Sequence, residues 1–352
     1  MNFIIRNLKR IIRFWFSITK VNWIKFIKNY SSREGIVVVI PGIIKNYFIN
    51  SLELDILNIA ALLKNNQKVK IFFGKDFTKF SGRKICYNPS QLLNPDSEKS
   101  NAEYIAEAVT AAEEKGNHVF LSSYEIQFWE NKEFMHRKFE ELNIRTPKTV
   151  IYDTVLQPEI NELKFPLLIK ELHSHASLGV HKCESATHLQ SLLSDENFRK
   201  KNPKIILQEL LNIRKDLRVI LSGDEILLHY WRINLGSEWK PTSTSHGSGV
   251  DFISFPEQWR EYIITAFKKL NLTTGAFDVA WQNDDLNNEP YILEVSPFYM
   301  PNPPKDLSNK KYSYGQFKKK LLFKDSWDKL YIECIFTIRT KVLHNWLNSN
   351  IK

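Results

Sequence analysis

Cysteine is scarce in this chain of 352 residues. Cys86, Cys183 and Cys334 are far apart and odd in number, which excludes both a disulfide framework and a CxxC zinc site. A reducing, cytoplasmic compartment is the default expectation. No charge-free apolar run approaches the ~20 residues of a bilayer span. The N-terminus also lacks the clean apolar stretch and small-residue cleavage site of a signal peptide. Neither GxxxxGK[ST] nor GxGxxG occurs, so the two common glycine-rich phosphate cradles are absent. What remains is an ordinary globular composition, 43% hydrophobic and 25% charged, with length enough for two or three folded units.

Acidic residues are missing from one region in particular. Residues 1 to 33 carry about eight Lys or Arg and no acid, and residues 305 to 352 carry about eleven against about four acids. The net charge of +10 therefore sits in the two ends, and the body between them is acidic. Basic ends interleaved with aromatics suit an anionic membrane surface and argue against a nucleic-acid partner, which more often meets basic residues spread over the folded body. In the first thirty residues, Trp15, Trp23 and Phe26 recur with Lys20, Lys25 and Lys28 at helical spacing. Two readings stand equal there: helices lying in the membrane interface, or a helix on the body with its lysines solvated.

Hydrophobic patterning divides the rest. Residues 34–123 alternate strand, helix and strand (IVVVIPGI, a helical run from about Ser51 to Lys64, KVKIFF, an Ala-rich helix, HVFLSS), which predicts a small α/β domain. Residues 124–205 and 206–304 predict two α+β lobes, with a basic helical segment over 305–352. The dipeptide Gly223-Asp224 predicts a tight hairpin between DLRVILS and EILLHYWRIN.

The order of pieces from about 119 to 304 resembles the ATP-grasp superfamily, in the branch of ribosomal-protein glutamate ligases and D-alanyl-D-alanine ligases. Asn131-Lys132, the turn Asn143 to Pro147, and Phe165-Pro166-Leu167-Leu168-Ile169-Lys170 occupy the places of that family's motifs. The resemblance implies an α/β N-terminal domain followed by an α+β ATP-grasp fold of two lobes, with basic amphipathic segments at both ends. It makes Lys132 and Lys170 ligands of ATP phosphates. The segment 173 to 180 becomes the loop covering those phosphates, with Ser177 and Gly179, although it is poorer in glycine than usual. Gln208, Glu209 and Leu211 become the adenine and ribose hinge. Arg218 and Arg232 become forks for phosphate or a substrate carboxylate.

Asp278 and Glu294 interrupt strands that otherwise read as buried, and carboxylates seldom sit there without a cation. The resemblance assigns them to Mg²⁺, which takes one or two carboxylates plus phosphate oxygens. The alternative is that Glu294 pairs with Arg218 or Arg232. Ser296 stands where the family's last motif has Asn, a weaker third ligand. The implied activity is ATP- and Mg-dependent joining of a small-molecule carboxylate to an amine through an acyl phosphate, with a lipid-linked or surface-polysaccharide substrate suggested by the ends alone. The rival is a non-catalytic ATP-binding adaptor at the membrane, motivated by Ser296 and the glycine-poor loop.

Overall fold

The computed structural model describes residues 2–41, 52–92, 100–154, 163–172, 179–236, 238–244, 247–307, 313–321 and 326–349, with side chains from residue 7 onward. Where the sequence reading draws five segments, contacts gather the chain into two units. One joins Met1–Ile126 to Leu272–Gly275 and Pro297–Lys352; the other is Gln127–Asn271 with Ala276–Ser296.

The first unit opens with α1 (Asn2–Ile18) and α2 (Trp23–Asn29). Strands β1 (Ile36–Ile40), β2 (Val69–Phe73), β3 (Lys84–Cys86) and β4 (His118–Phe120) then form a parallel sheet in the order β2-β1-β3-β4. All five residues of β1 are buried, as an uninterrupted Ile/Val run requires of an inner strand covered on both faces. Strand β3 escapes sequence reading because three residues before the Pro89 loop show no periodicity. Helix α3 (Leu52–Lys64) buries Leu54, Leu57, Ala61 and Leu62. Helix α4 (Asn101–Glu113) starts at a capping box in which Ser100 and Glu103 satisfy each other's backbone N–H, and α5 (Ser123–Ile126) follows β4.

In the second unit, α6 (Lys132–Glu141) begins where the Asn131 side chain accepts from the Phe134 N–H at 3.0 Å. An antiparallel sheet β5-β8-β6-β7 is built from β5 (Thr149–Asp153), β6 (Leu167–Glu171), β7 (Val180–Cys183) and β8 (Lys204–Glu209). Between β7 and β8 lie two helices, α7 (Ala186–Ser194) and α8 (Glu196–Lys201), parted at Asp195, which caps the second. The other sheet is five-stranded, β11-β10-β9-β12-β13. Its members are β9 (Lys215–Ser222), β10 (Glu225–Ile233), β11 (Gly249–Asp251), β12 (Gly275–Ala280) and β13 (Tyr291–Ser296), and α9 (Arg260–Lys269) lies between β11 and β12 in the chain.

Residues Ser222 and Glu225 pair across the predicted two-residue turn, with Gly223 at φ +61°, the left-handed value a type II′ hairpin needs at its first position. Leu217, Val219, Phe277, Val279 and Val295 are fully buried. They alternate with polar residues along the same strands, so this sheet has one apolar face and one charged face.

The first unit closes with α10 (Tyr314–Lys319) and α11 (Trp327–Asn348). The basic C-terminal helical segment packs into this unit. Trp327, Tyr331, Ile332, Ile335, Val342, Leu343 and Trp346 of α11 are buried, so the helix is core. Its Asp328, wholly buried, takes Arg13 Nε at 2.6 Å and Lys9 Nζ at 3.1 Å from α1. Two charges of the basic N-terminus are thus internal partners of the C-terminus.

Candidate functional site

The charged face of the five-stranded sheet follows from register. Asp216 and Arg218 are two apart on β9, and Arg232 and Tyr230 face them from β10 as the cross-strand partners of Asp216 and Arg218. On β12 and β13, Asp278 and Glu294 are partners in the same way. Arg232 donates to Asp216 through Nε at 2.8 Å and again through Nη2, and its Nη2 lies 2.8 Å from Asp278 Oδ2. Arg218 grips Asp278 with Nε and Nη2, both at 2.7 Å. The Thr242 hydroxyl adds a bond to Asp216 at 2.6 Å. Two arginines and two aspartates therefore form a closed, buried network.

Its electrostatics agree with its geometry. Burial alone would raise the Asp278 pKa, but the guanidinium groups of Arg218 and Arg232 outweigh it and bring the value down to about 2. For Asp216, burial lifts the pKa and the Arg232 charge opposes the lift. Both arginines are held more firmly protonated than usual: burial works against their charge, and the aspartates more than offset it.

A second cluster is assembled from α6, β6 and β13. Lys132 is 7% exposed in the first turn of α6, and Lys170 is half-buried on β6. Burial lowers the pKa of both; for Lys170 the Lys132 charge adds to this and Glu294 opposes it, leaving a value of about 8. Among the described residues, neither the Lys170 ammonium nor the Glu294 carboxylate makes a hydrogen bond or an ion pair within 4 Å. One turn along α6 from Lys132, His136 is buried with both ring nitrogens unpaired. Desolvation, then the charges of Lys170 and Lys132, take its pKa down to about 3. Among the described residues the Lys170 ammonium has no counter-ion in contact, the state that an anionic ligand relieves, and the Lys132 charge lies near enough to lower its pKa further.

The remaining expected residues are placed as follows. Gln208 is 2% exposed and its amide donates to the Thr149 hydroxyl at 2.8 Å. Glu209 gives its N–H to Lys148 O and accepts from the Lys148 N–H with its carboxylate. Both are committed within the antiparallel sheet, because β8 is its inner strand. The ladder stops there: among the described residues, Leu210 and Leu211 form no backbone hydrogen bond, so the hinge groups open to a ligand are main-chain ones just past Glu209. Gly179 has φ +68°, and a Cβ on it would come within 2.8 Å of the Glu171 side chain, so only glycine fits. Ser177, like His173 and His175, lies outside the described residues.

Two sequence readings of the carboxylates change. The acid that pairs with Arg218 and Arg232 is Asp278, whereas the alternative had named Glu294. The arginines expected as open forks spend Nε and Nη2 on aspartate; Arg218, with 22% of its side chain exposed, keeps its Nη1 edge. Asp216 and His136 were given no role. Asp216 was legible as the residue two before Arg218, and His136 as the residue four after Lys132, hence on the same helix face.

Among the described residues, no three His, Cys, Asp or Glu side chains cluster as a metal cage. The donor set instead fits a Mg²⁺ whose remaining ligands are phosphate oxygens. Glu294 offers an uncommitted carboxylate on the same face as Asp278, whose two oxygens accept three N–H contacts of about four they can take. Ser296 ends the same strand.

Residues 131–297 match the family described as RimK-like ATP-grasp domain. No curated protein matches the chain. Among solved structures, D-alanine–D-alanine ligase from Bacillus anthracis superposes with a TM-score of 0.54 at 15% identity, covering 88% of this chain and 99% of that one. The VanG D-Ala:D-Ser ligase from Enterococcus faecalis gives 0.52 at 15%, covering 85% and 99%. A RimK domain protein from Sphaerobacter thermophilus gives 0.51 at 12%, covering 74% and 90%. At such identities these likenesses establish the fold.

Proposed function

From the match of residues 131–297 to the family described as RimK-like ATP-grasp domain, we propose that the protein is an ATP- and Mg²⁺-dependent ligase joining a carboxylate to an amine. The observation that carries this reading is the cluster of Lys132, Lys170 and Glu294 within the matched residues, where burial lowers the pKa of both lysines and neither Lys170 nor Glu294 has a hydrogen-bond or ion-pair partner among the described residues. In the proposed reaction a substrate carboxylate oxygen bonds to the γ-phosphorus of ATP as the bond to the β-phosphate oxygen breaks, releasing ADP. The amine then bonds to the acyl carbon, phosphate leaves, and the amine nitrogen gives up a proton to solvent.

Lys132 and Lys170 bind the phosphates, whose charge holds the Lys170 proton to higher pH. Main-chain groups of Leu210 and Leu211, past Glu209, receive the adenine, and Gly179 with Ser177 belongs to the loop over the phosphates. Glu294 and Asp278, with Ser296 beside them, hold the Mg²⁺, which when bound neutralises phosphate charge. Arg218 directs its free Nη1 edge at the carboxylate or acyl phosphate. Arg232 acts through Asp216 and Asp278 to fix the position of Arg218. Catalysis of this kind is positioning and charge neutralisation, without a side-chain nucleophile. The substrate class we favour is a sugar acid or amino acid carried on a lipid or surface glycan, on the strength of the basic, aromatic N-terminal helices.

The test is ADP formation by purified protein with MgATP over a panel of sugar acids, amino acids and amines. Amine-dependent ADP release supports the ligase. ATP binding with no turnover across the panel assigns the chain instead to a non-catalytic adaptor, the role that Ser296 in place of Asn would favour.

A further inference from the structure

Seven of the twelve exposed large hydrophobic side chains among the described residues fall within the first thirty positions. On α1 they are Leu8, Ile11 and Trp15, spaced three and four apart and hence on one face. Ile12 and Ser17 are buried on the other side, where Lys9 and Arg13 reach Asp328. A helix at an ordinary protein surface turns its charges outward; α1 spends charges inward and turns a Leu/Ile/Trp stripe outward. On α2 no residue is buried, and Trp23, Ile24 and Ile27 are 50%, 71% and 76% exposed. They supply no core, yet they stand next to Lys20, Lys25 and Lys28, with no acid earlier than Glu34.

We propose that the outward face of α1 and α2 docks on an anionic lipid surface and lies in its headgroup layer. Tryptophan and isoleucine enter the interface while lysines among them extend to lipid phosphates and carboxylates. A protein partner is the lesser fit, since the centre of such an interface is depleted in lysine, whereas on α2 Lys25 and Lys28 stand among Trp23, Ile24 and Ile27. No described helix is long and apolar enough to cross a membrane, so this contact is with one leaflet only. The inference is independent of the nucleotide site.

The full chain is tested by co-sedimentation with vesicles of phosphatidylcholine alone and of phosphatidylcholine with phosphatidylserine at about 2:1, a charge density of the kind basic segments respond to. The mixed vesicles should retain the protein, with retention lost at high salt, and neutral vesicles should retain little. Ile24→Ser with Ile27→Ser should weaken binding at least about tenfold, since each isoleucine loses its apolar transfer. Lys25→Glu with Lys28→Glu should weaken it by about tenfold or more and remove much of the salt dependence. Melting temperatures should not move, because none of the four side chains is buried. The proposal is overturned if the mixed vesicles do not retain the parent, or if either variant binds as the parent does. It is equally overturned if the serine variant melts markedly lower, or if sedimentation velocity shows a parent dimer that the serine variant abolishes.

Discussion

Two charged clusters in the second unit use similar ingredients to opposite ends. Asp216, Arg232, Asp278 and Arg218 saturate one another in a closed network. Beside Lys132, the groups Lys170, His136 and Glu294 leave charge and ring nitrogens without contact partners among the described residues. The difference lies in the choice of cation. A guanidinium keeps its proton at any ordinary pH and needs a fork-shaped anion permanently beside it, whereas a buried ammonium can approach neutrality while its site is empty and recharge when an anion arrives. The first cluster is a fixed part of the fold; the second is held in readiness.

Breaking the closed network should have the largest effect. Arg232→Gln strands Asp216 in a buried place, and urea denaturation of nucleotide-free protein should show a loss of roughly 3 to 5 kcal/mol. A loss near zero would mean that this network is not closed after all. Next, Lys170→Met should leave the nucleotide-free protein as stable or slightly more stable, because it removes a desolvated charge, while weakening MgATP binding about thirtyfold, roughly 2 kcal/mol of charge-assisted hydrogen bonding. The readout is the MgATP-induced rise in melting temperature; an undiminished rise would take Lys170 out of the site.

Glu294→Gln sharpens the contrast from the acidic side. With no contact partner to strand, stability should change by less than about 1 kcal/mol, in keeping with uncontacted or weakly contacted charges. The gain in ATP affinity on adding Mg²⁺ should shrink by about tenfold, through loss of one carboxylate ligand. Titration calorimetry with and without Mg²⁺ separates the two, and a loss of several kcal/mol in stability would place Glu294 in the closed class.

The smallest effect is a pH dependence. Lys170, facing Lys132, Glu294, Asp278 and His136, titrates near 8 in the free protein. A bound polyphosphate would hold the proton to higher pH. Affinity should therefore be full below about 8 and fall above it, by at most about tenfold per pH unit for one proton. Nucleotide-free stability should run the other way. Between about 8 and the ordinary lysine value the unfolded chain keeps a proton that the folded chain has lost, so folding becomes more favourable as pH rises. Both trends should weaken in Lys170→Met, leaving what Lys132 contributes.

What the sequence made legible follows the same division. The parts set by local chemistry could be read: the Gly223-Asp224 hairpin, the uninterrupted β1 run, and Lys132 and Lys170 at motif positions. The parts set by register could not. Nothing within PYILEVS says whether Glu294 meets an arginine or a lysine; that depends on which strand neighbours which, and the order β10-β9-β12-β13 puts Asp278, one strand nearer, against the arginines. Long-range burial was equally hidden. The lysines and arginine of α11 read as a basic tail, while its Trp327, Tyr331 and Trp346 are core.

The link from Lys9 and Arg13 to Asp328 spans more than three hundred residues of chain. During synthesis α1 emerges first, and the carboxylate that neutralises its inner face is among the last parts made. Until then the helix has both an apolar stripe and unpaired cations, so chaperones or a nearby membrane meet it before its own C-terminus does. The second unit needs nothing from that late segment to pair its strands and can fold on the ribosome ahead of the first. A chain cut before α11 should consequently retain a folded second unit while the N-terminal helices lose the anchor that orients them.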